Sequence, residues 1–291
     1  MKDIESAAEE IRSMRVRGAA KIGRFAAQAL GRMPWDGSDA ALDAAAAALV
    51  AARPTAVSLP NAVAFVVREA KKGPRPGSLR AAAEAFEERA ATALAQLGRH
   101  GASLIADDMT VMTICNSQGA LAPIFEARRE GRRFEVIALE TRPWRQGLLT
   151  VAQLAKEGVA ASLAVDGAAW SLLPECDLVL TGADSIARNG DVINKVGTGG
   201  LGILARERGV PQYCCAETFK LHPRAATGAE VPIEERETAE VVKAGEVPAV
   251  VRIRNPVFDV TDHGLVKSYV TELGVMRRDE MVAAAQAAWG W

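Results

Sequence analysis

Histidine and aromatic residues are scarce in this chain of 291 residues, which has three histidines and an aromatic share of 5%. His100, His222 and His263 show no metal-ligand spacing with one another or with the cysteines, so no metal site is expected. Four cysteines, at 115, 176, 214 and 215, are too few for a disulfide framework at this length. The adjacent pair would point to opposite faces of a strand. A reduced, cytoplasmic protein is the expectation. Charge of neither sign dominates: the formal net charge is −1, which gives no electrostatic footprint for nucleic acid or an anionic membrane. No run of about 18 apolar residues occurs, so no membrane span is expected. The opening residues lack the apolar core of a signal peptide.

What the chain has in abundance is alanine, concentrated in the first hundred residues, where it favours helix. Helical spacing recurs over 4–15, 21–30, 38–51, 55–68 and 78–97, with a Pro/Gly-rich loop at 71–77. Arg15 and Arg17 precede a helix start: they either complement a helix dipole or, with the free amides there, hold a phosphate. Beyond residue 98 the pattern changes. Short apolar runs at 110–114, 134–139, 159–165, 177–181 and 212–216 alternate with helical segments, which predicts a parallel sheet covered on both faces. The fold class expected is α/β. A helical N-terminal domain (1–99) precedes a Rossmann-like C-terminal domain (100–291), and the runs 249–253 and 266–273 are left unassigned.

In such a sheet ligands bind beyond the carboxyl ends of the strands. Asp184 follows the run 177–180, and Asn194, Lys195 and Gly197-Thr198-Gly199-Gly200 follow a turn at 189–191, where a helix N-terminus can approach an anion. Cys115 follows the first strand and precedes a helix. It reads either as a small buried hydrophobe or as an acid, base or nucleophile. Arg142 and Gln146 follow the second strand, and Glu217 to Lys220 the fifth. Four coincident polar clusters at one sheet edge argue against an all-structural reading.

The ordered motifs R-G-A-A at Arg17, R-P-T-A-V at Arg53, T-I-C-N-S at Thr113, E-T-R-P-x-x-Q-G at Glu140 and G-A-D-S-I at Gly182 carry a resemblance. N-G-D-V-I-N-K-V-G-T at Asn189, A-E-T-F-K at Ala216 and N-P-x-F-D-V-T at Asn255 complete it. Together they resemble the superfamily of methylthioribose-1-phosphate isomerase, archaeal ribose-1,5-bisphosphate isomerase and the initiation factor 2B regulatory subunits. The resemblance implies a catalytic pair, Cys115 and Asp184, that the factor subunits generally lack. Glu217 to Lys220 and Asn116-Ser117 resemble the bisphosphate branch, while Ile114 stands where relatives often have histidine.

The implied reaction is aldose-to-ketose isomerisation of ribose 1,5-bisphosphate, without redox cofactor or metal. The alternatives are methylthioribose-1-phosphate isomerisation and a non-catalytic regulatory role. Arg17, Gly18, Ala19 and Arg53 would hold one phosphate. Arg142, Gln146, Asn194 and Lys195 would orient the sugar and the other charge. Lys220 would meet the second phosphate, unless it only pairs with Glu217 on the surface. Cys115 would take the carbon 2 proton through an enolate while Asp184 handles the ring and hydroxyl protons, with a direct hydride shift as the competing route. A sugar phosphate is the expected partner, nucleic acid and membrane are not, and a homodimer or higher homo-oligomer is implied.

Overall fold

Apolar residues repeating every three or four positions fold the first third of the chain into five helices. The computed structural model describes every residue except 1, 14, 17, 54–56, 74–76 and 291, together with the side chains of residues 2 and 19. The helices are α1 (Lys2–Arg12), α2 (Ala19–Arg32), α3 (Asp39–Ala52), α4 (Ser58–Lys72) and α5 (Ser78–Ala102). In α3 the stripe Leu42, Ala45, Leu49 and Ala52 is buried, and Ser38 caps the helix by accepting from the Ala41 amide at 3.3 Å. All five helices share one core, around Ile4, Ile22, Leu42, Leu59 and Phe86. Two residues from far along the chain, Phe219 and Trp289, enter it as well. Their rings meet edge-on at 5.8 Å, and each also contacts Phe86.

The remainder alternates as expected. Its elements are β1 (Thr110–Thr113), α6 (Gln118–Arg129), β2 (Glu135–Leu139), α7 (Gly147–Lys156), β3 (Ala160–Ala164), α8 (Ala169–Leu172) and β4 (Leu178–Thr181). There follow β5 (Ser185–Ile186), β6 (Val192–Lys195), α9 (Thr198–Glu207), β7 (Gln212–Cys215), β8 (Phe258–Thr261), β9 (Ser268–Thr271), β10 (Gly274–Met276) and α10 (Arg278–Trp289). Seven strands form one sheet in the order β10-β9-β7-β4-β1-β2-β3. It is parallel apart from β10. Leu121, Ile124 and Leu154 cover one face, together with Leu97 from the end of α5. Ala169, Leu201 and Ala205 cover the other.

The structure goes beyond the sequence reading in two places. A second, antiparallel sheet, β5-β6-β8, grows from the loop after β4. Of the unassigned runs, 266–273 contains β9, whereas 249–253 forms no strand and is mostly exposed, Val250 at 91%. Among the described residues no helix is long and apolar enough to cross a membrane.

Strand order fixes where a ligand can sit. From β1 the chain moves outward to β2 and β3, then returns to the opposite side of β1 with β4. The crevice between the carboxyl ends of β1 and β4 is therefore a topological switch point. Cys115 lies two residues past β1 and Asp184 three past β4.

Candidate active site

Cys115 is held in a backbone conformation that side-chain-bearing residues rarely adopt, with φ of +70°. Two threonines hold it there. Its amide donates to Thr141 Oγ1 at 2.7 Å, and its carbonyl accepts from Thr150 Oγ1 at 2.7 Å. Thr141 is itself left-handed, at φ +65°, and its amide is fixed by Asp166 Oδ1 at 2.7 Å. Two such residues cost roughly 1–3 kcal/mol each, so the surrounding hydrogen bonds must over-determine the loop. Burial pushes the Cys115 thiol up to about 11, with Lys195 and the Asn116 amide pulling the other way. The group is a thiol in neutral water.

Asp184 is anchored by its amide to the Ile193 carbonyl at 2.9 Å, which ties the β4 end to β6. Burial raises its carboxyl above the ordinary range, opposed by Lys220, Lys195 and Arg53 and reinforced by Glu234. The cations come from three separate parts of the chain, yet all act on one carboxyl. Arg53, at the end of α3, lies 3.6 Å from Glu234. Lys195, at the end of β6, stands over the Phe258 ring at 5.4 Å.

Lys220 departs from one of the two expectations made for it, the surface pairing. It does pair with Glu217, at 3.0 Å, but inside the protein, with the two side chains 7% and 4% exposed. Its ammonium thus already has a carboxylate, and burial, which lowers its proton affinity, is outweighed by Glu217 and Asp184.

Asn194 is buried and donates to Thr198 Oγ1 at 3.0 Å. It borders Gly182, where a Cβ would fall 2.0 Å from Ser117 Oγ, so only glycine lets the β4 end approach the α6 N-cap. Gln146 sits one turn before Thr150 on α7, and its buried Oε1 has no partner among the described residues. That acceptor suits a sugar hydroxyl.

Other expectations are redirected. Arg142, expected to help orient the sugar and the other charge, is exposed, and its guanidinium donates to the carbonyls of Pro143 and Val241. Gly18 starts α2 at φ +92°, Arg17 lies outside the described residues, and Ala19 is described only in its main chain. The glycine-rich start of α9 does hold an anion, but the anion is Asp259, which accepts from Gly197 at 2.7 Å and Gly199 at 3.1 Å. The structure also gathers Asp191, Asp262 and His263 within metal-ligand reach of one another. Their carboxylates are engaged internally: Asp191 accepts from Asn189, Gly228 and His263, and Asp262 from Gly264.

Sequence reasoning missed Thr141, Thr150, Glu234 and Asp259. Thr141 and Asp259 lie inside quoted motifs and were readable as anchors; Thr150 and Glu234 carry no local signal.

Comparison with known proteins accords with this geometry. The chain is 43% identical to a ribose 1,5-bisphosphate isomerase of Archaeoglobus fulgidus over 95% of this chain and 90% of the relative. It is 40% identical to a methylthioribose-1-phosphate isomerase of Gemmatimonas aurantiaca over 93% and 84%. The crystal structure of a Pyrococcus horikoshii OT3 translation initiation factor eIF-2B superposes with a TM-score of 0.83 at 28% identity, covering 96% of this chain and 98% of that one. Residues 15–278 match the model of the initiation factor 2 subunit family, and this chain belongs to that family.

Proposed function

We propose that this protein is a ribose-1,5-bisphosphate isomerase, producing ribulose 1,5-bisphosphate. The observation that carries the reading is the shared field of Cys115 and Asp184 at the switch point, with Arg53, Lys195 and Lys220 acting on the same carboxyl. An acid–base pair surrounded by cations suits a sugar carrying phosphates. A methylthio group would want an apolar pocket, whereas the charges acting on Asp184 are mostly cationic. The relative at 43% identity supports the same choice.

Carbon 1 of this substrate carries a phosphate, so the ring cannot open through a free anomeric hydroxyl. A thiol pushed up to about 11 starts as a proton donor, which revises the opening step expected from sequence. Cys115 gives its proton to the ring oxygen as the carbon 1–ring oxygen bond breaks. The thiolate so formed takes the carbon 2 proton, leaving an enol phosphate, and returns a proton to carbon 1. Asp184, whose burial strengthens it as an acceptor, takes the carbon 2 hydroxyl proton as the ketone forms. Passing that proton from Asp184 to Cys115 restores both groups. No redox cofactor or metal enters this scheme.

Arg53, with Arg17 and the main chain of Gly18 and Ala19, holds one phosphate by displacing Glu234. Lys195, Asn194 and Gln146 orient the sugar. Lys220 serves Asp184 more directly than a phosphate, since Glu217 already balances it. Residues 1–99 and 100–291 act as helical and catalytic domains of a cytoplasmic homodimer or higher homo-oligomer.

The second reading, methylthioribose-1-phosphate isomerisation, is favoured by the relative at 40% identity. Assaying purified protein on both sugar phosphates decides between them. Turnover of the bisphosphate is expected. Preference for the thioether overturns the substrate, and no turnover of either favours a binding role.

A further inference from the structure

Lys220 sits in a single helical turn, Thr218–Lys220, that is anchored far more heavily than its length requires. Thr218 accepts from Trp289 Nε1 at 2.8 Å, and its amide donates to Glu272 Oε2 at 2.9 Å. Phe219 is driven into the helical core against Phe86 and Trp289. A further restraint comes from α4. One nitrogen, Asn61 Nδ2, donates to the Phe219 carbonyl at 2.8 Å and to the Leu221 carbonyl at 2.9 Å. Asn61 is itself buried, 2% exposed.

These two carbonyls flank Lys220. Both hydrogens of one amide therefore close on the main chain either side of the only cation in the turn. Aspartate of the same shape has no hydrogens to give, and leucine would leave two buried carbonyls without donors. The restraint comes from outside the sheet, and it bears on a side chain that acts on Asp184. Burying an ammonium beside a carboxylate is tolerable only in good geometry, so the location of Lys220 has to be fixed externally.

We propose that Asn61 is a positioning residue of the active site: its amide clamps the main chain on both sides of Lys220 and holds that ammonium against Glu217 and within reach of Asp184. The helical layer thereby sets the potential at the acid–base pair without touching substrate.

The inference rests on the isomerase reading for its kinetic test alone; a second readout needs no turnover. The groups acting on Asp184 are Lys220, Lys195, Arg53 and Glu234, with Cys115 at the neighbouring strand end. Carbon-13 titration of the Asp184 carboxyl, assigned by its loss in Asp184→Asn, is followed in wild type, Asn61→Ala, Lys220→Met and the double variant. Asn61→Ala is expected to move the Asp184 midpoint upward, as Lys220→Met does, and the double variant no further. In turnover of ribose 1,5-bisphosphate, Asn61→Ala is expected to lose about 10- to 100-fold in kcat/KM, again without adding to Lys220→Met. An unchanged Asp184 midpoint in Asn61→Ala, or losses that multiply, overturns the proposal. If melting shows Asn61→Ala unfolded, Asn61→Ser, which keeps one donor, carries the comparison with the same criteria. An inactive wild type overturns the isomerase reading and leaves the titration to decide the clamp.

Discussion

Thr141 accepts the amide hydrogen of Cys115 across the carboxyl ends of adjacent strands, at 2.7 Å. Both residues are left-handed, so each holds the other in a conformation neither favours alone. Thr141→Val keeps the branched shape and removes the acceptor. It is expected to destabilise the protein by about 1–3 kcal/mol and to cut kcat by up to about 100-fold. Thr141→Ser restores the acceptor and should recover most of both. Denaturant unfolding and steady-state rates check this, and wild-type kinetics in Thr141→Val would free Cys115 from the proposed restraint.

Cys115 and Asp184 exchange the same proton in the scheme above, so their losses cannot be independent. Cys115→Ser and Asp184→Asn are each expected to reduce kcat by at least about 100-fold. The double variant should be little worse than either single one. Losses that multiply would show the two groups serving unrelated steps.

The starting state of the thiol can be read without substrate. Alkylation of Cys115 by iodoacetamide, measured against a Cys115→Ser control, should rise with pH toward a midpoint of about 11. Lys195→Met removes a charge that favours the thiolate and should move the midpoint higher. A midpoint near the ordinary thiol value of about 8.5 would return Cys115 to service as a resting base. In turnover, activity should fall with acidification through a midpoint above the ordinary carboxylate range, because Asp184 must accept a proton.

Asp191 fastens the β5–β6 hairpin to the segment after β8. Burial works to raise its carboxyl, but hydrogen bonds from Asn189, His263 and Gly228 outweigh it and hold the group at about 2. A depressed carboxyl adds stability that is complete above its unfolded value near 3.9 and is lost as pH falls through its folded value. Asp191→Asn is therefore expected to cost about 2 kcal/mol at neutral pH and much less below about pH 2. Equal losses at both pH values in urea unfolding would show that the charge is immaterial.

The helical layer and the alternating strands were legible because alanine spacing and short apolar runs are local signals, as in the α3 stripe or Leu178 to Leu180. The placement of Cys115 and Asp184 beside one crevice was legible for a topological reason: residues just past strand ends face a crevice wherever strands run parallel, whereas their pairing as acid and base came from the resemblance alone. The second sheet was not, because β5 is two residues long and gains meaning only from its pairing with β6. Partnerships across the chain were the larger loss. Glu217 stood three residues from Lys220 as its alternative partner, but nothing local says that the pair is buried, and nothing near Gly197 announces Asp259, 62 positions later. Nor does anything near Arg142 announce Val241, whose carbonyl its guanidinium meets 99 positions later.

The bond from Trp289 to Thr218 joins the last helix to the turn that carries Lys220. During synthesis, the seven-stranded sheet can be complete once β10 has left the ribosome, while the turn still waits for α10. A nascent chain would thus present a folded sheet before it presents a competent centre. A nick ahead of α10 should accordingly remove activity while the sheet still stands.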